Sequence, residues 1–217
     1  MNRIVIIGAG GHARVLIEAI AADTSATVSA VVDDDASTWG TSLSGIPIVG
    51  SDDHLKSLYD TTECDSFVVA IGGINSFSLR RRLYNDAQAI GLRPYTVRHS
   101  SCECSPSAVL ADGCQFLARA VVNAGAEIGE NVIINTAAVV EHDCIIGSHA
   151  HIAPQACLAG GVRVGDESHI GLGAVVNENL SVGARALVGA GAVVVTDVPD
   201  DTVVVGVPAR PIRKPNS

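Results

Sequence analysis

Every sixth residue from Leu110 onward is apolar, through Phe116, Val122, Ile128, Ile134 and Val140 and on without a break to Val194. Two places before each lies a mostly small side chain such as Cys114, Ala120, Ala126, Ala138, Cys144, Ala150 or Ala156. A large and a small slot repeated at this period describe a narrow, filled core. The period is that of the hexapeptide β-helix, in which three units close one triangular coil and coils stack at the inter-strand spacing of about 4.8 Å. Five coils fit between about residues 106 and 195. Gly or Asn often follows the apolar residue, as at Asn123, Gly129, Asn135, Gly147, Gly165, Gly171 and Gly183. Tight turns with positive φ are the expected reason. The spacing does not set the handedness.

Before about residue 98 the grammar is different. Short apolar runs (Ile4–Ile7, Thr27–Val32, Phe67–Ile71) alternate with helical stretches (Ala13–Ala22, Phe77–Ile90), which predicts a small parallel sheet flanked by helices. The boundaries drawn are 1–98 for a βαβ domain and 99–217 for a β-helix with a C-terminal tail. The first strand runs into Gly8-Ala9-Gly10-Gly11-His12, a near match to GxGxxG in which Ala13 replaces the last glycine. Such a turn brings backbone and helix N-terminal amides to a phosphate, or serves turn geometry alone. The second strand ends at Asp33-Asp34-Asp35, where a sheet of this type offers carboxylates to a ribose or base, an acidic turn cap being the plainer reading. The third ends at Ala70-Ile71-Gly72-Gly73-Ile74-Asn75 and completes one crevice edge.

Composition narrows the class. The chain has 217 residues, a formal charge of −9 and 17% charged residues, which disfavours a phosphate-backbone surface. Arg80-Arg81-Arg82 is the one dense basic run and reads as a solvated helix face. The apolar start, Ile4–Ile7, is too short for a signal or a membrane span, so a cytoplasmic protein is expected. The six cysteines form no CxxC pair and read as reduced packing residues. No His/Cys cluster has metal-ligand spacing, and catalysis without a metal is expected.

The hexapeptide register and the closing Gly206-Val207-Pro208-Ala209-Arg210 resemble the left-handed β-helix acyltransferases, which are typically trimers. With Gly8-Ala9-Gly10-Gly11-His12, Asp33-Asp34, Ala70-Ile71-Gly72 and Val140-Glu141-His142-Asp143-Cys144, the chain resembles the sialic-acid O-acetyltransferase type of sugar acyltransferase. Bacterial UDP-4-amino-sugar N-acetyltransferases are the subgroup it most resembles. The resemblance implies acetyl-CoA as co-substrate, a nucleotide-sugar acceptor and a homotrimer with sites between adjacent subunits. It implies His142 as general base with Asp143 beside it, where the subgroup can carry the longer Glu. His151 would contact the pantetheine arm, the Gly160 N–H would face the thioester carbonyl, and Leu172 and Ala190 would line the CoA slot. Gly10, Gly11 and His12 would serve the diphosphate or sugar, Asp33 and Asp34 the nucleoside, and Gly72 the crevice floor.

Thioester chemistry needs a base and an oxyanion donor, and histidine suits the first near neutral pH. His151 and His169 are one coil apart and should stack on one outward face. Cys144 falls in an inward slot, whereas Cys157 points outward and is the thiol that a rival acyl-enzyme route would use. Two other readings remain: O-acetylation of sialic acid or another sugar, and a non-catalytic trimeric nucleotide-sugar scaffold.

Overall fold

The computed structural model describes residues 1–72 and 77–213. Gly73, Ile74 and Asn75 of the third crevice segment lie outside the described residues. Contacts divide the chain into two compact units, Met1–Arg98 and His99–Ser217.

The first unit holds β1 (Asn2–Ile7), α1 (Gly11–Ala21), β2 (Ala26–Val32), β3 (Ser42–Leu43), β4 (Ile46–Gly50), α2 (Leu55–Asp60), β5 (Ser66–Val69), α3 (Phe77–Ile90) and β6 (Arg93–Pro94). The sheet order is β3-β4-β2-β1-β5-β6, parallel except for the β3–β4 hairpin at one edge. Ile4, Val5 and Ile6 have no exposed surface, as expected of a strand covered on both faces. The chain leaves β1 towards β2 on one side and returns through α2 to β5 on the other. The order therefore reverses at β1, where a crevice opens beyond the strand ends. The hairpin and α2 were not foreseen from the sequence.

The basic run is corrected by the structure. Arg80 is 1% exposed, and Arg82 lies 3.6 Å from both Asp52 and Asp86. Successive helical residues point about 100° apart, so three adjacent arginines cannot share one solvated face.

The second unit is the left-handed β-helix. Each coil gives one two-residue strand to each of three parallel sheets: His151–Ile152, Cys157–Leu158 and Arg163–Val164 make up one coil. Partners lie 18 residues apart, as in Val139↔Cys157, Ile145↔Arg163 and His151↔His169. The apolar register residues and the small residues before them form a single core. Ser168 occupies a small slot and meets its polar requirement by donating to the Gly183 carbonyl at 2.6 Å.

The turn glycines have a different cause from the one expected. Positive φ falls three places after the register residue, and there it is mostly carried by residues with side chains, such as Arg119 (60°), Asn131 (54°) and His149 (62°). The glycines directly after the register residue are needed for clearance. Gly129, Gly147, Gly165 and Gly183 form one column, and a Cβ on Gly165 would stand 2.4 Å from the Ala184 nitrogen and 2.7 Å from its Cα. Backbone cannot yield as a side chain can. Gly165→Ala is therefore expected to cost about 1–3 kcal/mol in urea unfolding, and an unchanged midpoint would show that the coils have slack at this corner.

Candidate functional site

In the first unit the crevice is a cavity of about 220 Å³ lined by Ile7, Gly8, Val32, Asp33, Asp34, Asp52, Ile71, Leu79 and Leu83. It forms where β1 ends: the Gly8 N–H donates to Val32, and the Ala70 N–H donates to Ile7. Gly8 has φ +106°, and a Cβ there would press on Ile71 and the Ala70 carbonyl at 3.2–3.3 Å. Asp33 and Asp34 line the cavity as expected. Asp33 is also a structural brace, because Oδ2 accepts from the Ala9 N–H at 2.6 Å and Oδ1 from the Asp35 N–H at 2.8 Å. The plainer reading, an acidic turn cap, is thus realised at a residue that also lines the crevice.

Asp52 was missed by the sequence reading, since it follows a strand that the pattern did not show. Burial, then the Asp34 charge, push its carboxyl above the ordinary range, with Arg82 opposing. Gly10 and Gly11 stand at the start of α1, with Gly10 as the N-cap and no side chain capping the helix. A Cβ on either would meet nothing within 4 Å. Neither glycine is required by packing, and a helix start without a side-chain cap suits an anion. His12 is half-buried in the first turn of α1, and Gly72 is half-buried after Ile71.

In the second unit, Glu141, His142 and Asp143 form the turn between the strands Val139–Val140 and Ile145–Ile146. The shorter Asp143 does reach: its Oδ2 lies 2.9 Å from His142 Nδ1. A carboxylate only accepts, so Nδ1 is the nitrogen that donates, and in the neutral ring the lone pair is then on Nε2. Both side chains are open to solvent, at 62% and 73%. Glu141 Oε2 accepts from Asn123 Nδ2 at 3.0 Å and from the His142 N–H at 3.3 Å, which fixes the turn from the coil below. Asn123 was read only as a turn residue; its 18-residue offset from Glu141 is the signal that finds it.

Gly160 lies one coil above His142. A Cβ on it would stand 2.5 Å from His142 Cε1 and 2.6 Å from Nε2, so the ring rests against the bare Cα. At the equivalent turn position Ala124, Thr136, His142, Ser148 and Ala184 each donate their N–H to a side-chain oxygen. Gly160 follows Ala159, which has no such oxygen, and its N–H has no acceptor among the described residues. Leu172 and Ala190, which follow glycines, share this state with Ala118, Asp166 and Glu178. Leu172 is 54% exposed, and a Cβ on the adjacent Gly173 or Gly191 would meet nothing, which leaves an open ledge.

His151 and His169 stack as expected, with ring centroids 4.8 Å apart, but they are only 5% and 4% exposed. His151 Nε2 lies 3.0 Å from Asn135 Nδ2. Neither ring is therefore presented to solvent on that face, contrary to the expectation from the sequence. The His142 turn joins the other two sheets, so it forms the prism edge opposite that face, while Leu172 and Ala190 lie on a second edge. One chain brings together His142, Asp143 and Gly160; it does not bring His151, Leu172 or Ala190 to them.

Cys144 is buried, its thiol donating to the Ala159 carbonyl at 3.2 Å. Cys157 is half-buried; burial, then the Glu141 charge, push its thiol up, away from the nucleophilic thiolate. Among the described residues no group of three His, Cys, Asp or Glu side chains is placed to hold a metal ion. None of the described helices is long and apolar enough to cross a membrane.

The PglD N-terminal domain family matches residues 3–87, and the bacterial transferase hexapeptide (six repeats) family matches residues 125–160. A histidine-to-asparagine variant of perosamine N-acetyltransferase from Caulobacter crescentus, solved with CoA and GDP-perosamine, is 40% identical over 98% of both chains, with a TM-score of 0.92. The acetyltransferase domain of PglB from Neisseria gonorrhoeae FA1090, solved with acetyl coenzyme A, is 39% identical over 98% of this chain and 100% of that one, with a TM-score of 0.88. Both units are spanned by these likenesses. The chain belongs to the hexapeptide-repeat family of acetyl-CoA-dependent sugar N-acetyltransferases.

Proposed function

We propose that the protein transfers the acetyl group of acetyl-CoA to the amine of a nucleotide-linked 4-amino sugar, with His142 as general base. The observation that carries this reading is one turn-on-turn contact: His142, its Nδ1 engaged by Asp143, rests on Gly160 beside an N–H that has no acceptor among the described residues. His142 Nε2 takes the amine proton as nitrogen adds to the acetyl carbonyl. The Gly160 N–H stabilises the developing oxyanion, and CoA leaves as the thiol. Asp143 keeps the ring in the tautomer that has a lone pair on Nε2 and favours the imidazolium that forms.

Leu172 and Ala190 supply N–H groups and an apolar ledge for the CoA arm; the pantetheine contact that the resemblance implies for His151 would need its buried ring to become accessible. Because these lie away from the His142 edge, the site is assembled between copies of the chain in a trimer. The outward stripe Val121, Val139, Cys157, Val175 and Val193 beside the His142 edge is apolar and partly exposed, which supports self-association through that face. In the first unit the uncapped start of α1, with Gly10, Gly11 and His12, takes the diphosphate or sugar. Asp33 and Asp34 take hydroxyl or N–H donors of the nucleoside, with Gly72 at the crevice floor.

The acceptor implied by the family resemblance is a UDP-4-amino-4,6-dideoxy sugar. A GDP-linked amino sugar is a second reading, favoured by the likeness to the perosamine enzyme. CoA-thiol release with both acceptors, and with sialic acid as comparison, separates these from the O-acetylation reading. Turnover is expected on an amino-sugar nucleotide and is expected to fall about 10²–10⁴-fold in His142→Ala, with the solution mass still that of a trimer. Turnover confined to sialic acid would overturn the proposal.

Cys157→Ala is expected to keep kcat within about twofold, since it keeps a small apolar side chain in the stripe and removes only a thiol that takes no part in the proposed step; a loss as large as that of His142→Ala would instead favour an acyl-enzyme. Gly11→Ala adds a methyl that meets no protein atom. It is expected to leave the melting temperature in place and to raise KM for the sugar nucleotide by about tenfold, the effect of a misplaced contact at a binding backbone. An unchanged KM would remove the start of α1 from the acceptor site.

A further inference from the structure

Asp143 orients His142, and the structure shows what orients Asp143. Gly125 lies one coil below it at the same turn position, and both have left-handed backbone, at φ +70° and +60°. Arg119, Asn131 and Ala137 hold the same conformation at this position in other turns, so the backbone does not by itself demand glycine here. The carboxylate above leaves no room for a Cβ while it stays where it lies. A Cβ on Gly125 would stand 2.6 Å from Asp143 Oδ1, while the Asp143 nitrogen, at 3.9 Å, would be in ordinary contact. Oδ2 is the oxygen bonded to His142, and Oδ1 is the one that lies in the slot. Lifting Oδ1 turns the whole carboxylate and takes Oδ2 off His142 Nδ1. The same slot recurs at Gly161, beneath Asn179 Oδ1 at 2.6 Å, so it is a packing device of this edge put to use under the base.

The geometry points to Gly125 as a positioning residue that seats Asp143, and through it the Nδ1–H form of His142; this rests on the reading of His142 as base. With Gly160 above the imidazole and Gly125 below the carboxylate, the pair is bracketed by two bare Cα atoms.

The test is a double-variant cycle on the full chain with two readouts: steady-state kinetics, and 15N spectra of histidine-labelled protein in which His142→Ala identifies the His142 signals. Gly125→Ala and Asp143→Ala are each expected to lower kcat by about 10- to 100-fold, as loss of an orienting carboxylate does, with KM for acetyl-CoA unchanged. The double variant is expected to be no worse than Asp143→Ala alone, because the obstructed group is gone. Both single variants are expected to lose the Nδ1–H preference of His142. A wild-type-like His142 spectrum in Gly125→Ala, or losses that multiply in the double variant, would overturn the proposal. Altered spectra in both variants with kcat intact would uphold the seating and overturn the role of His142 as base. Should Gly125→Ala unfold, the double variant is expected to fold, and an unfolded double variant would count against the proposal.

Discussion

The stacking of each coil on the next at 18-residue spacing is the constraint on which the rest of the second unit depends. Strand N–H groups donate to the coil one step on, as His151 does to Ser168 and Cys157 to Ala174, both at 2.9 Å. Turn N–H groups at the positive-φ position bond back to the coil below, as Asp143 does to Ala124 and Gly161 to His142. With bonds running both ways, the separation of coils is fixed, and any side chain in a turn must fit the residue 18 places away. The glycine column from Gly129 to Gly183 is the general consequence. The Gly125, Asp143, His142 and Gly160 arrangement is the local one, in which the same fit shapes a reactive pair.

Much of this was legible because periodicity reports which way a side chain faces. The register from Leu110 to Val194, the small slots, the inward Cys144 and the stacked His151 and His169 all follow from a period of six and its triple. Why a turn residue is glycine was not legible in the same way. Gly147 and Gly165 look like positive-φ turn residues in the sequence, whereas the φ > 0 work is done two places later by His149 and Glu167, and the glycines exist to let the next backbone pass. Clearance between coils is a relation across 18 residues that no local pattern displays. Asn123 bonding to Glu141 was hidden for the same reason.

In the first unit the failures have other causes. Arg80 was read with its neighbours as a charge run, but a helix turns each residue away from the last, and burial follows the face. Asp52 was hidden because β4 is short and its apolar residues are interrupted by Pro47, so the acidic turn after it had no strand to mark its place. The cavity it joins is lined on one side by carboxylates, from Asp33, Asp34 and Asp52 at the ends of β2 and β4. Three carboxylates would repel an anion, so this part of the crevice favours groups that donate N–H or O–H bonds.

Exposure of the His142 pair bears on the assembly. A general base works best where its partner charges are not screened by water, and the His142 and Asp143 side chains are 62% and 73% exposed in the single chain. The geometry that makes the pair is complete within one chain, down to the Cα atoms that bracket it. What the chain lacks at this edge is cover, and the remaining expected CoA residues, Leu172 and Ala190, stand on a different edge of the same prism. A second copy set against the apolar Val139 and Val175 stripe would bring its own ledge to the His142 edge and exclude water from the base in the same movement. On the proposed assembly, association and catalysis are one requirement, because the apolar stripe borders the residues that need to be covered.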